Sequence, residues 1–267
     1  MAPQWKIRTI LFTFCFPFCL QYSFSQGRVE TGFLDRSVDV GGSSYHYQVY
    51  VPYSYTPSQR WPVILFLHGI GERGRDGLLQ TQGGLGAAIR QNPSRYPAIV
   101  VFPQVPPDSL WVGVPAQAAM AALDKTTREF QTDSDRVYLT GLSMGGNGSW
   151  YLAYRNPSRF AALAPICGWV TPFSPWFHNA QTVVPGDSTS PFEALARRLS
   201  RVPIWIFHGE EDNAVPVSQS RQAAAALSSV GAAVQFTELQ GIGHNAWDAA
   251  YGSTKFSTWL FQQRRSH

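Results

Sequence analysis

Ser143, Asp212 and His244 lie far apart in the chain, yet each sits in a short glycine-marked run at the end of an apolar stretch. A serine hydroxyl is a poor nucleophile until a base takes its proton during attack. That base must be kept in the right tautomer by an acceptor on its far side. A serine, a histidine and a carboxylate can together attack an acyl carbon and carry it as a covalent intermediate. Ser143 falls within VYLTGLSMGGNGSW, Val137 to Trp150, where β-prone residues end in Gly141-Leu142-Ser143-Met144-Gly145 and helix-compatible residues follow. This is the pattern of a sharp strand-to-helix turn that projects a nucleophile from a sheet edge, with Gly141 and Gly145 admitting the crowded backbone.

At roughly 7% glycine usage, such a pentad arises by accident in about one chain in ten of this length, so it counts only with its partners. Of the six histidines, His244 follows a strand-like run within Gly241-Ile242-Gly243-His244 and precedes a helix-like segment. Asp212 follows the apolar run Ile204 to Phe207 and precedes Val215-Pro216; Glu210, Glu211 and Asp248 are acidic neighbours that could replace it. The order serine, acid, histidine differs from the chymotrypsin and subtilisin orders and matches chains built on a strand–turn–helix nucleophile.

A tetrahedral intermediate also needs donors aimed at its oxyanion. One expected donor is the N–H of Met144, at a helix N-terminus where the partial charge is positive. The other is the N–H of Ile70, with Gly71 as the near alternative, in the loop His68-Gly69-Ile70-Gly71 after an apolar run. His68 and His208, each in a His-Gly pair, are expected to be structural. Trp111 and the aromatic stretch holding Trp169 and Trp176 are expected to line the substrate cleft, offering flat faces to an aromatic acyl group or a sugar. The scattered histidines, with no His-x-x-x-His or cysteine pair, suggest no metal site, and no cofactor is implied.

The elements that must position these residues follow from periodicity. Residues 30–52 alternate around Gly41-Gly42, as in an antiparallel hairpin. The continuous apolar run 63–67 reads as a strand buried on both faces, and strands at 98–102, 137–142, 161–166, 204–207 and 234–239 alternate with helical segments at 85–91, 116–130, 145–154, 192–199, 218–230 and 246–263. That alternation predicts an α/β fold with a mostly parallel sheet and helices on both faces. In such sheets, sites form beyond the carboxyl ends of the strands, where these motifs fall.

The 267 residues, 44% hydrophobic and 14% charged, suit one globular domain with a full core. Lys6 and Arg8 precede the apolar run Ile10 to Leu20, and Ser23-Phe24-Ser25 supplies small residues at minus three and minus one before Gln26. This reads as a secretory leader over 1–25, leaving a single catalytic domain over 26–267 in a secreted or periplasmic protein. The run is short for a span of about 20 residues and contains Pro17, against a stable membrane anchor. Loss of Lys6 and Arg8 lowers the formal charge from +4 to +2, which is no nucleic-acid footprint. The remaining chain keeps Cys167 alone, so it forms no internal disulfide and relies on its core.

The motifs HGIGERG, DRVYLTGLSMGGNGSWYLA, RFAALAPICG, HGEEDNAVP and GIGHNAW resemble, in order and wording, the α/β-hydrolase esterases of the carboxylesterase and polyhydroxybutyrate-depolymerase-like group, which includes feruloyl and acetyl-xylan esterases. The resemblance runs from about Tyr47 to Leu260. It implies the α/β-hydrolase fold, triad roles for Ser143, Asp212 and His244, an oxyanion role for the loop His68 to Gly71, and a cleft position for Trp111. The expected activity is serine carboxylic-ester hydrolysis of a small-molecule or polysaccharide-linked ester. Competing expectations are a serine peptidase, against which the chain shows no strand repeats for a large gating domain, and an inactive carbohydrate-binding relative.

Overall fold

A computed structural model describes residues 1–4, 29–173, 183–186 and 189–265; the leader's apolar run and its cleavage site lie outside the described residues. Eight strands form one sheet in the order β1-β2-β4-β3-β5-β6-β7-β8. The hairpin strands β1 (Gly32–Val40) and β2 (Ser43–Val51) are antiparallel, and β2 pairs antiparallel with β4 (Ile99–Pro103). All remaining pairs are parallel: β3 (Trp61–Leu67) with β4 and β5 (Thr132–Leu142), then β6 (Ala162–Ile166), β7 (Ile204–Gly209) and β8 (Val234–Leu239) in succession. Gly41 and Gly42 turn the hairpin with φ of 59° and 78°, which a two-residue turn matched to strand twist requires.

Every residue of β3, β4 and β6 is buried, because helices cover both faces of the parallel sheet. Side chains alternate between two cores, as the two-residue strand period demands. Val63, Leu65 and Leu67 point to one core; Ile64 and Phe66 point to the other. The first core is closed by α2 (Gly113–Glu129), α3 (Met144–Arg155), α4 (Pro191–Leu199) and α5 (Ser218–Ser229) through residues such as Leu123, Leu152, Leu195 and Leu227. The second is closed by α1 (Gly84–Gln91), α6 (Trp247–Gly252) and α7 (Thr254–Gln262) through Leu85, Ile89, Tyr251 and Phe256.

Two departures from the sequence reading have local causes. The closing helix expected over 246–263 is two helices, because Ser253 leaves helical geometry and its hydroxyl accepts the Phe256 N–H at 3.3 Å, starting α7 afresh. The strand leading to Ser143 begins at Thr132, five residues before the apolar run, since Thr132 pairs with Trp61 beyond a bulge in β3. Connections run outward in opposite directions from the neighbours β3 and β5, so the sheet has its switch point there. The loop after β3 and the turn after β5 therefore border one crevice.

Candidate active site

Ser143 joins β5 to α3 at φ 53° and ψ −115°, a positive φ that a non-glycine residue holds only when its surroundings enforce it. What enforces it is the packing of α3 onto the end of β3: a Cβ on Gly145 would lie 1.9 Å from the Leu67 carbonyl oxygen. The strand cannot enter its helix by a wider path. The Ser143 N–H donates to Ile166 O at 2.8 Å, tying the turn to β6, and the side chain emerges at the rim with the residue only 9% exposed.

His244 reaches this hydroxyl from the loop between β8 and α6. Its Nε2 lies 2.9 Å from Ser143 Oγ and its Nδ1 2.7 Å from Asp212 Oδ2. Close packing brings the loop in, since a Cβ on Gly209 would stand 2.0 Å from Gly243 O. Asp212 is fully buried, and its Oδ1 accepts the Ala214 and Val215 N–H groups, each at 2.9 Å. Burial alone would raise the Asp212 carboxyl. Hydrogen bonds from His208 and His244, with the Val215 N–H, outweigh it and hold the group well below the usual carboxylate range.

The other acids are engaged elsewhere. Glu210 accepts the Gly241 N–H at 3.1 Å, Glu211 is exposed, and Asp248 accepts from Asn245 at 2.8 Å. Cys167, Asp212 and His244 place potential ligand atoms within 4.8 Å of one another. The imidazole and carboxylate already bind each other, and burial pushes the Cys167 thiol up, away from the thiolate a metal would need.

Met144 begins α3, so its N–H has no carbonyl one turn back and faces the crevice end of the helix. Ile70 opens the 3-10 turn Ile70–Glu72 after β3. His68 braces that loop. Its buried ring accepts the Val105 N–H on Nε2 at 3.0 Å and donates from Nδ1 to Gly69 O at 2.6 Å, and burial pushes it down to about 4, so it is a neutral strut.

Trp111 and Trp169, expected to line the cleft, are each only 1% exposed. The Trp111 indole N–H donates to His68 O at 3.0 Å and its ring stands edge-to-face on His68 at 4.9 Å, so it braces the loop after β3. Trp169 belongs to the first core, with its carbonyl accepting from Asn147 at 2.9 Å and its ring against Phe173. Trp176 lies outside the described residues. The sequence did not single out Trp247, which is half-buried and edge-to-face with His244 at 5.4 Å; the side chains of Ile70, expected as an oxyanion donor through its N–H, and of Ile242 are exposed on the loops after β3 and β8. Trp247 opens α6 three residues after His244, so the short loop between them brings the indole onto the imidazole.

The fold is that of an α/β-hydrolase, with Ser143 at its sharp strand-to-helix turn. A family model described as the prolyl oligopeptidase family matches residues 108–262, and one described as a putative esterase matches residues 39–116. The chain belongs to the prolyl oligopeptidase family. It is 28% identical over 209 residues to an uncharacterized secreted protein of Arthroderma benhamiae, covering 70% of this chain and 22% of that protein. Among solved structures it is similar to a thermostable esterase, with TM-score 0.75 and 32% identity over 87% of this chain and 63% of that one. It shares its fold with a ferulic acid esterase of Anaeromyces mucronatus solved with ferulic acid, at TM-score 0.62 and 16% identity, over 91% and 94% of the two chains. The chain thus spans about a fifth of the curated relative and under two thirds of the thermostable esterase.

Proposed function

We propose that this chain is an exported serine hydrolase of carboxylic esters, working through an acyl-enzyme on short acyl or hydroxycinnamoyl esters, including esters attached to polysaccharide. The observation that carries the reading is the continuous chain from Ser143 Oγ to His244 at 2.9 Å and from His244 to Asp212 at 2.7 Å. In this mechanism Ser143 Oγ attacks the ester carbonyl carbon as His244 Nε2 takes its proton, while Asp212 stabilises the imidazolium and keeps its orientation. The carbonyl oxygen becomes an oxyanion that accepts from the Met144 and Ile70 N–H groups, a contribution of about 3 kcal/mol per donor. Collapse expels the alcohol, which leaves with the proton from His244. Water then attacks the acyl-serine by the same base, releasing the acid and restoring Ser143.

Support for the ester class comes from the likeness to the thermostable esterase, and support for an aromatic acid comes from the fold shared with the ferulic acid esterase. Trp247, Ile70 and Ile242 are the apolar groups near the serine that suit such an acyl chain. The leader and the secreted Arthroderma relative support export. The match to the prolyl oligopeptidase family favours one second reading, a serine peptidase.

A fluorophosphonate probe should modify Ser143 and no residue of Ser143→Ala, as mapped by mass spectrometry of the labelled peptide. On a substrate panel, soluble acetyl and hydroxycinnamoyl esters should turn over faster than acylated peptides and faster than emulsified long-chain triglycerides. Faster cleavage of peptides would establish the peptidase reading instead.

A further inference from the structure

Asp212 Oδ2 receives two imidazoles. His244 Nδ1 is 2.7 Å away, and His208 Nε2, from the end of β7, is 3.1 Å away. His208 is completely buried, its Nε2 also lies 3.0 Å from Val215 O, and its Nδ1 lies 2.7 Å from the hydroxyl of Ser220 on α5. Both neighbours of Nε2 are acceptors, so Nε2 carries the proton. A hydroxyl can donate or accept, so Ser220 adapts and gives its proton to Nδ1.

We propose that His208 is a positioning residue for the acid: it locks the Asp212 carboxylate so that Oδ2 faces His244. The reasoning rests on the reading of Asp212 as the acid partner of His244. A carboxylate has about four lone-pair sites. The Ala214 and Val215 N–H groups occupy Oδ1, His244 occupies Oδ2, and the His208 Nε2 that bonds Val215 O stands 3.1 Å from the same Oδ2. Rotation of the carboxylate would break the bonds to the Ala214 and Val215 N–H groups and to His244, and would carry Oδ2 away from the His208 Nε2. The side chain is fully buried, so no bulk water can replace a lost partner. His208 is suited to the task because its one Nε2 proton lies between Val215 O at 3.0 Å and Asp212 Oδ2 at 3.1 Å, so the ring holds the carboxylate against its own loop without displacing His244. Its second bond, to Val215 O, fixes the same loop whose N–H groups hold Oδ1. One ring therefore ties β7, the acid loop and α5 into a single mount.

The test uses the full chain, with the rate of fluorophosphonate labelling of Ser143 alongside kcat and KM on a soluble acetyl ester. His208→Gln places an amide N–H near the position of Nε2, whereas His208→Asn reaches only to Ser220 and leaves Oδ2 short of a donor. The asparagine variant should lose about 10- to 100-fold in kcat and in labelling rate, with KM within about twofold, while the glutamine variant stays within about threefold of the parent. Melting temperatures of the two variants separate a general loss of stability from this pattern. In the unsubstituted protein labelled with nitrogen-15 histidine, the His208 ring should carry its proton on Nε2, a result that needs no variant to fold and no activity. A proton on Nδ1 overturns the proposal, as do equal kcat values for the two variants. If Ser143 resists labelling while His208 shows the Nε2 proton, the hydrolase reading has failed and the positioning geometry stands.

Discussion

The Ser143 hydroxyl makes no packing contribution that alanine would not supply, so its loss separates chemistry from folding. Ser143→Ala should lower kcat/KM by at least about 1,000-fold with the melting temperature unchanged; activity within tenfold of the parent would remove Ser143 from the mechanism. Asp212→Asn should cost about 10,000-fold, because an amide presents the wrong partner to His244 Nδ1, whereas Glu210→Gln should stay close to the parent. Asp212 also makes a pH-dependent contribution to stability. Its carboxyl is held below the usual range in the folded state, so that contribution is fully present above the unfolded value of about 3.9 and disappears as pH falls through the folded value. The difference in melting temperature between the parent and Asp212→Asn at pH 7 should therefore narrow as the pH is taken down through 4 towards 2. A constant difference would mean that Asp212 is not the titrating group.

At the level of elements, the approach of α3 to β3 decides whether the serine is presented at all. Gly145→Ala puts a methyl into the Leu67 carbonyl, and overpacking of this kind costs about 1–3 kcal/mol even where neighbours can shift. Here the neighbour is backbone, so a clear fall in melting temperature is expected together with loss of Ser143 labelling. An unchanged melting curve would show that the helix has room to move. Trp111→Ala should likewise act through stability, by about 3–5 kcal/mol for a buried tryptophan, and through kcat by loosening the loop at Ile70. A variant of undiminished stability whose KM alone rose would restore Trp111 to the cleft. Element types were legible because the central strands β3, β4 and β6 are nearly all apolar and the helices between strands carry alanine and leucine at helical spacing. The break at Ser253 was not, since a cap inside a helical pattern is revealed only by where the following N–H groups point.

For the whole molecule, the leader reading makes a prediction of mass. Expressed in a host that exports it, the protein should begin at Gln26, shown by intact mass and by N-terminal sequencing. Retention of Met1 on the exported protein would refute cleavage. Among the described residues no helix is long and apolar enough to cross a membrane.

The sequence by itself determined the kind of fold and the three residues that meet at the crevice. Both are written in local terms: apolar runs, the glycines that let backbones touch, and polar residues placed just after strands. It could not determine what surrounds them, because contacts between segments far apart in the chain have no local signature. Tertiary contacts set the burial of Trp111 beneath the β3 loop and of Trp169 beside α3 and Phe173, and the stand of Trp247 against His244. The same folding placed His208 against Asp212, since a histidine four residues before an acid meets it when the chain turns sharply at the end of β7, a turn closed by the Asp212 N–H on Gly209 O at 3.4 Å.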